Sequence, residues 1–394
     1  MRHKRRHVLL IIETSYSFGR AVLAGINDYV VSHEPWSITL DLRGLMMPTP
    51  EWLVDWDGDG VISRSSDPRL AESAHARNRP TIDLTDFRSD LPLPRIWANH
   101  DAIGKMAGEH FLERGFTQFA FCGFSDHIWS RGRRAGFLRT VSDVDPSPRI
   151  LETTWDTSAL RPWEQEREVL AEFLTSLPKP IGLLACNDVR GQQILDVCRE
   201  LLIAVPEEVA VLGVDDDEIL CRFCDPPLSS VVPNSYTIGY EAARALDQLM
   251  RGESLDWTQR SIDPLRIVTR QSTDIMAIED PLIASAVRQI RQRACQGLTI
   301  AEILQEIPLS RSVLERRFRK FLGHSPQAEI RQVKIKRVKQ LLTESDLTLE
   351  RIANLTGFEH PEYLNVLFRR EVGETPGRYR NQFRQDNGRY DYRF

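Results

Sequence analysis

The sequence predicts a two-lobed α/β region of doubly wound parallel sheets, followed by an all-α domain with two helix-turn-helix units. Three observations carry this expectation. Short apolar runs alternate with helical periods over the first 275 or so residues, only helical periods remain after residue 282, and the helical part repeats at a spacing of fifty residues. Alternation of strand and helix implies parallel sheets, because each parallel return needs a crossover; a change to helices alone marks a new domain.

In chain order, HVLLIIE (7–13), SITLDLR (37–43), DGVIS (59–63), PTIDL (80–84) and RIWAN (95–99) read as strands. FGRAVLAGINDYVVS (18–32) and DPRLAESAHARN (67–78) have helical spacing. A second set follows, with strands at FTQFAFCGF (116–124), RILET (149–153), IGLLACND (181–188) and VAVLGVDDD (209–217). Its helices are DAIGKMAGEHFLERG (101–115), WEQEREVLAEFLTSL (163–177) and VRGQQILDVCRELL (189–202). Two such sets predict two lobes, and folds of this kind take ligands beyond the carboxyl ends of their strands.

In the helical part LTIAEI (298–303) recurs as LTLERI (347–352), and Leu314, Phe318, Arg319, Lys320 and Gly323 recur as Leu364, Phe368, Arg369, Arg370 and Gly373. Each copy reads as helix, short turn and second helix, with PQAEIRQVKIKRVKQLLTES (326–345) as a rigid helix between them. In SRSVLERRFRKFLG (310–323), Leu314, Phe318, Phe321 and Leu322 form the expected buried stripe. Arg311, Ser312, Glu315, Arg316 and Arg319 fall on the other side, Ser310 is placed to cap the start, and Gly323 to end the helix. A guanidinium-rich outer face at the second position of such a motif suits the major groove, where arginine donates two hydrogen bonds to guanine and others hold phosphate.

Charge agrees with that division. The chain carries 51 Lys+Arg against 56 Asp+Glu, a net −5, but residues 282–394 hold 21 against 13, or +8. Residues 1–281 hold 30 against 43, or −13, so a basic module is joined to an acidic body. No apolar run reaches the ~18 residues of a membrane span. The start, MRHKRRHVLLIIE, has too short an apolar run for a secretion signal, and VLLII reads as a buried first strand. Six scattered cysteines predict a reducing cytoplasm; Cys221 and Cys224 form a lone CxxC with no second ligand pair nearby. Nine histidines lack ligand spacing, and no GxGxxG, GxxxxGK[ST], HExxH or GxSxG occurs, so no enzyme, metal or cofactor is expected.

The residues Gly357-Phe358, Tyr363-Leu364, Phe368-Arg369-Arg370, Gly373, Thr375-Pro376 and Tyr379-Arg380 resemble the signature of AraC-family transcription regulators, over about residues 283–383. The resemblance implies double-stranded DNA as partner and two recognition helices entering successive major grooves. Arg311, Ser312, Glu315 and Arg316 would then face bases or nearby phosphates from the first helix. Glu362, Tyr363, Asn365 and Val366 match them in the second; Val366 departs from the polar or basic residue expected there. Arg369 and Arg370 would either touch phosphate or stay solvated.

Residues 8–270 resemble the sugar-binding fold of LacI-family repressors and periplasmic binding proteins. The resemblance rests on Arg114-Gly115-Phe116, Arg133 with Ala135-Gly136-Phe137, Asn187-Asp188, Gly213-Val214-Asp215-Asp216 and Leu228-Ser229-Ser230-Val231. The residues before Val8 cannot supply the DNA-binding headpiece of such repressors. A sensor of this type with an AraC-type reader at the other end is similar to the xylose-operon regulators, and GDGVI (58–62), STDIMAIEDP (272–281) and SRSVLERRF (310–318) strengthen the match.

A sugar site needs carboxylates and amides to accept from hydroxyls, arginine to donate, and an aromatic face for ring C–H groups. The resemblance implies Asp215, Arg133 and Asp188 as contacts, then Asp216 and Asn99, with Arg20 reaching in from the other lobe. Trp129 is either a stacking face or a packing tryptophan, Asp188 either a ligand or a helix-capping residue, and Asp215 either a ligand or part of an acidic turn.

The expected divisions are a basic tail at 1–7, the sensor at 8–270, a linker at 271–282, the DNA-binding domain at 283–384 and a tail at 385–394. The expected protein is a cytoplasmic, sugar-responsive activator of pentose use, with D-xylose as effector, a homodimeric state and contact with RNA polymerase. The alternatives are the same regulator with another monosaccharide, or a sugar-binding or sugar-processing protein that binds no DNA.

Overall fold

A computed structural model describes the chain apart from residues 1–4, 43–49, 66, 86–91, 156–162, 276–277, 279 and 388–394. The expected basic tail (1–4), linker (276, 277, 279) and C-terminal tail (388–394) lie to that extent outside the described residues. The chain divides into two compact units, Met1–Ala277 and Ile278–Phe394.

The first unit holds two six-stranded sheets. Its first lobe begins with β1 (His7–Ile11), α1 (Ser17–Ser32), β2 (Ser37–Asp41), α2 (Glu51–Val54), β3 (Gly60–Ser63), α3 (Pro68–Ala76), β4 (Thr81–Asp83) and β5 (Arg95–Ala98). The second lobe is built from α4 (His100–Glu113), β6 (Phe119–Phe124), α5 (Ile128–Val141), β7 (Arg149–Thr153), α6 (Trp163–Ser176) and β8 (Ile181–Ala185). It continues with α7 (Asp188–Glu200), β9 (Val209–Val214), α8 (Glu218–Phe223) and β10 (Ser229–Val232). The chain then returns as α9 (Ser235–Met250) and β11 (Gln259–Ile262) to the first lobe, and crosses once more into β12 (Arg266–Val268).

The sheet orders are β11-β5-β4-β3-β1-β2 and β12-β10-β9-β8-β6-β7, parallel throughout except for the antiparallel β10–β12 pair. Strands β6, β8 and β9 are buried at every residue, as helices on both faces require. Every strand and helix anticipated from the sequence is present, but the stretch 225–268, which carried no assignment, supplies α9 and three strands. The strands QRSI and RIV of that stretch lack the burial of the equally short β3 and β4, so no core imposes a continuous apolar run on them. Helix α9 crosses α1 at glycines: a Cβ on Gly25 would stand 2.0 Å from the Tyr236 carbonyl oxygen, and one on Gly239 1.9 Å from that of Val22.

Two divisions need correction. Arg6, expected in the basic tail, pairs with Asp247 of α9 at 2.8 Å, and His7 opens β1. Residues 271–273, expected in the linker, are packed into the sensor: the Ser272 hydroxyl donates to the Val211 carbonyl at 2.6 Å and accepts from the Ser229 amide at 2.8 Å. Beside it, His110 meets the Thr273 hydroxyl at 2.9 Å, and burial, reinforced by the Arg114 guanidinium, lowers its pKa to about 3.

A pH dependence follows. The unfolded ring takes up a proton below its usual 6.5 while the native ring stays neutral to about 3, so the unfolded state binds more protons and stability falls as pH falls between those values. From pH 7.5 to 5.5 His110 should remove about 1.4 kcal/mol of sensor stability. Denaturant melts of wild type and His110→Gln at both pH values measure it; an equal pH loss in both chains would refute the assignment.

The second unit comprises α10 (Pro281–Arg293), α11 (Ile300–Glu306), α12 (Arg311–Leu322), α13 (Pro326–Glu344), α14 (Leu349–Leu355), α15 (Pro361–Val372) and α16 (Pro376–Asn387). The linker expected through residue 282 overlaps α10, whose start is capped by the Asp280 carboxylate through the Leu282 and Ile283 amides. In α12 the Ser310 hydroxyl accepts from the Val313 amide, and Gly323 ends the helix at φ +76°. Gly373 ends α15 in the same way at φ +89°. Leu314 and Phe318 are fully buried, whereas Phe321 and Leu322, expected in the same stripe, are only half-buried. The second motif packs Leu364, Leu367 and Phe368 against Ile335, Val338 and Leu342 of α13. Lys334 of α13 donates to the Gly357 carbonyl at 2.7 Å, which ties this motif to the connecting helix, and Arg380 of α16 donates to the Leu347 carbonyl at 2.7 Å.

Candidate functional site

The carboxyl ends of both sheets converge around Arg133 and Asp215. Arg133 lies on α5, one helical turn beyond Trp129, with its side chain 4% exposed. It donates to Asp215 Oδ1 at 3.1 Å and to the Cys186 carbonyl, its guanidinium stands 5.0 Å from the Trp129 ring centre, and its buried Nε has no hydrogen-bond partner. Asp215 and Asp216 follow β9 with φ of +112° and +48°, conformations that side-chain-bearing residues adopt only at a cost. Burial raises the Asp215 pKa, and the charges of Arg133, Arg64 and His100 oppose that rise.

The structure brings together part of the expected set. Trp129 is buried in an aromatic cluster with Phe124, His127 and Trp155, at ring separations of 6.1, 5.3 and 6.4 Å. Arg20 bridges the lobes: it donates to the Thr14 and Ser15 carbonyls of its own lobe and pairs with Asp217 of the other at 3.3 Å.

Three expected contacts have other work. Asp188 is 2% exposed, and its two oxygens accept from the Ser230 hydroxyl at 2.6 Å and the Asp217 amide at 2.8 Å. It therefore sits behind the 215–217 turn and holds it, with its pKa raised by burial and then by Asp215. Asp216 is paired with Arg270 at 2.8 Å. Asn99 accepts from the Ala102 amide at 3.1 Å and donates to Asp263 at 2.8 Å, tying two interlobe crossings together. The CxxC is also absorbed locally: Cys221 donates to Asp188, and burial raises both thiols, Cys224 to about 12. Neither is a ready thiolate.

Sequence reasoning missed several residues at the same strand ends. Trp155 follows β7, its amide held by the Asp126 carboxylate at 3.0 Å. Buried Arg64 pairs with Glu13 across the ends of β3 and β1, its guanidinium 4.2 Å from the Phe18 ring centre. Arg190, fully buried, pairs with Glu166 at 2.6 Å, donates to Thr153 at 3.0 Å and backs the Phe124 ring at 4.5 Å. Position just past a strand was the usable signal for Trp155 and Arg64.

A polar chain leads away from this turn. Arg270, paired with Asp216, exchanges backbone hydrogen bonds with the Ser229 hydroxyl, which accepts from Thr273 at 2.8 Å; Thr273 meets His110. It connects the 215–217 turn to the last residues of the first unit.

On the second unit, α12 exposes Arg311, Ser312, Arg316 and Arg319, while Glu315 is half-exposed and pairs with Arg311 at 3.4 Å. Helix α15 exposes Glu362, Tyr363, Asn365, Val366 and Arg369. Both are the second helices of their motifs, the position that enters a major groove.

Twin reading helices joined to a two-lobed, polar-lined sensor define a transcription regulator that responds to a ligand, not an enzyme. Residues 109–273 match the periplasmic binding protein-like domain family and residues 292–382 a helix-turn-helix domain family. The chain belongs to the family of xylose operon regulatory proteins. It is 30% identical to that of Haemophilus influenzae over 95% of this chain and 97% of the relative, and 28% identical to that of Escherichia coli K12 over 96% and 97%. A solved structure of the xylose-binding transcription activator XylR matches with a TM-score of 0.82 at 28% identity, over 97% of this chain and 99% of that one.

Proposed function

We propose that this chain is a D-xylose-responsive activator of xylose catabolic genes, working in the cytoplasm as a homodimer that contacts RNA polymerase. The observation that carries the reading is the pair of buried Arg133 with half-buried Asp215 at the meeting of two lobes, in a chain that also carries two outward arginine-bearing or polar recognition helices. The names of its relatives supply the sugar and the activating role.

The carboxylate of Asp215 accepts from sugar hydroxyls, the spare Nε of Arg133 donates, and Trp129 with Trp155 covers the C–H face of the ring. Asp188 and Arg270 act from behind, holding the 215–217 turn. These contacts all lie on the second lobe, and Arg20, paired with Asp217 across the lobes, is the first-lobe group beside them. The sugar favours one arrangement of the lobes by as much as its affinity differs between the two. The Asp216–Arg270–Ser229–Thr273 chain carries that change toward the end of the sensor. A thermal-shift series over D-xylose, L-arabinose, D-ribose, D-glucose and D-galactose tests the ligand. D-xylose should give the largest shift; a larger one with any other sugar overturns the assignment to xylose.

A further inference from the structure

The two recognition helices share a frame but present different chemistry at one matched position. At the fifty-residue offset Arg316 of α12 corresponds to Val366 of α15. Arg316 is exposed, and so is Val366, at 68%. Val366 takes no part in the core of its motif, which is made by Leu364, Leu367 and Phe368 on the opposite side of the helix. A β-branched residue in the middle of a helix loses side-chain freedom, and an uncovered one gains nothing from packing in return. Its outward neighbours are Glu362, Tyr363 at 58% exposure, Asn365, Arg369 and Arg370. An apolar side chain thus stands within a polar and cationic stripe, at the place where its counterpart carries a guanidinium.

In the major groove these two side chains suit different bases. Guanine offers the O6 and N7 acceptors that a guanidinium takes together, whereas thymine alone offers a methyl group. Resting on the reading of the second unit as a DNA reader, we propose that Val366 is a specificity-determining residue that packs on a thymine 5-methyl. The operator is then chemically asymmetric: α12 reads a G·C pair through Arg316, and α15 reads an A·T step through Val366. Asn365, beside Val366, is the side-chain type that pairs with the N6 and N7 of adenine and completes such a step.

The test uses the full chain and a duplex selected by it from a randomised pool. Each thymine in the selected site is replaced singly by deoxyuridine, which removes the methyl and keeps the pairing. One replacement in the half bound by α15 should weaken wild-type binding by about fourfold, the value of one buried methyl. Val366→Ala, with two methyl groups fewer, should respond less to that methyl and keep its salt dependence, and Val366→Arg should move the preferred base at that position from thymine to guanine. A flat deoxyuridine series with duplex binding intact overturns the proposal while the regulator stands, and turns Val366 toward a protein partner instead. No retention of any duplex overturns both.

Discussion

Asp215→Ala should abolish the heat stabilisation that D-xylose gives the wild-type chain. A ligand that binds only the native state stabilises it by RT ln(1 + [L]/Kd), about 2.7 kcal/mol at a hundredfold excess over Kd. Asp215 is the carboxylate at the meeting of the lobes whose partner is Arg133 itself, whereas Asp188 and Asp216 are held by Ser230, the Asp217 amide and Arg270. Removing it takes away the hydroxyl acceptor and leaves a guanidinium, 4% exposed, without its counter-charge. Breaking such a pair costs roughly 3–5 kcal/mol, so the unliganded melting temperature should fall as well. Asp215→Asn, which keeps the shape, separates the two effects: it should fold closer to wild type and still lose most of the sugar response. A full thermal shift in either variant would clear Asp215 of any part in binding.

Arg316→Ala should weaken the cognate duplex by about 1–3 kcal/mol, roughly fivefold to more than a hundredfold, and relax preference at a single base pair. Arg316 is exposed and, unlike Arg311, is not drawn toward Glu315, so its fork is free for a base edge. Arg369→Ala makes the contrast. If Arg369 holds phosphate, its loss should weaken all sequences alike and make the salt slope about one unit shallower. An Arg316 variant that loses affinity equally on every sequence would place Arg316 on the backbone too.

The readable parts of this chain were those where one periodic signal meets one physical need. Strands such as FAFCGF and VAVLGV are buried on both faces, so a continuous apolar run identified them. The twin motifs were legible because Ser310, Gly323 and Gly373 mark helix ends and Leu314 and Phe318 recur as Leu364 and Phe368. Less was legible between 225 and 268, where short strands pass between lobes, and the pairing of β11 with β5 depends on residues far apart in the chain.

The ligand site shows a different limit. Asp188, Asp216 and Asn99 have suitable chemistry at strand ends, and the sequence placed them there correctly. Which polar group faces a ligand depends on which is already satisfied, and Ser230, Arg270 and Asp263, all distant in sequence, decide that. The buried Arg64–Glu13 and Arg190–Glu166 pairs escaped notice for the same reason.

The most direct test is the affinity of the full chain for the duplex upstream of xylose catabolic genes, measured with and without D-xylose over a range of salt. The sugar should tighten binding, and affinity should fall steeply and linearly on logarithmic axes as salt rises. Retention that ignores D-xylose at every salt concentration, or no retention at all, would contradict the joining of a sugar sensor to a DNA reader in this chain.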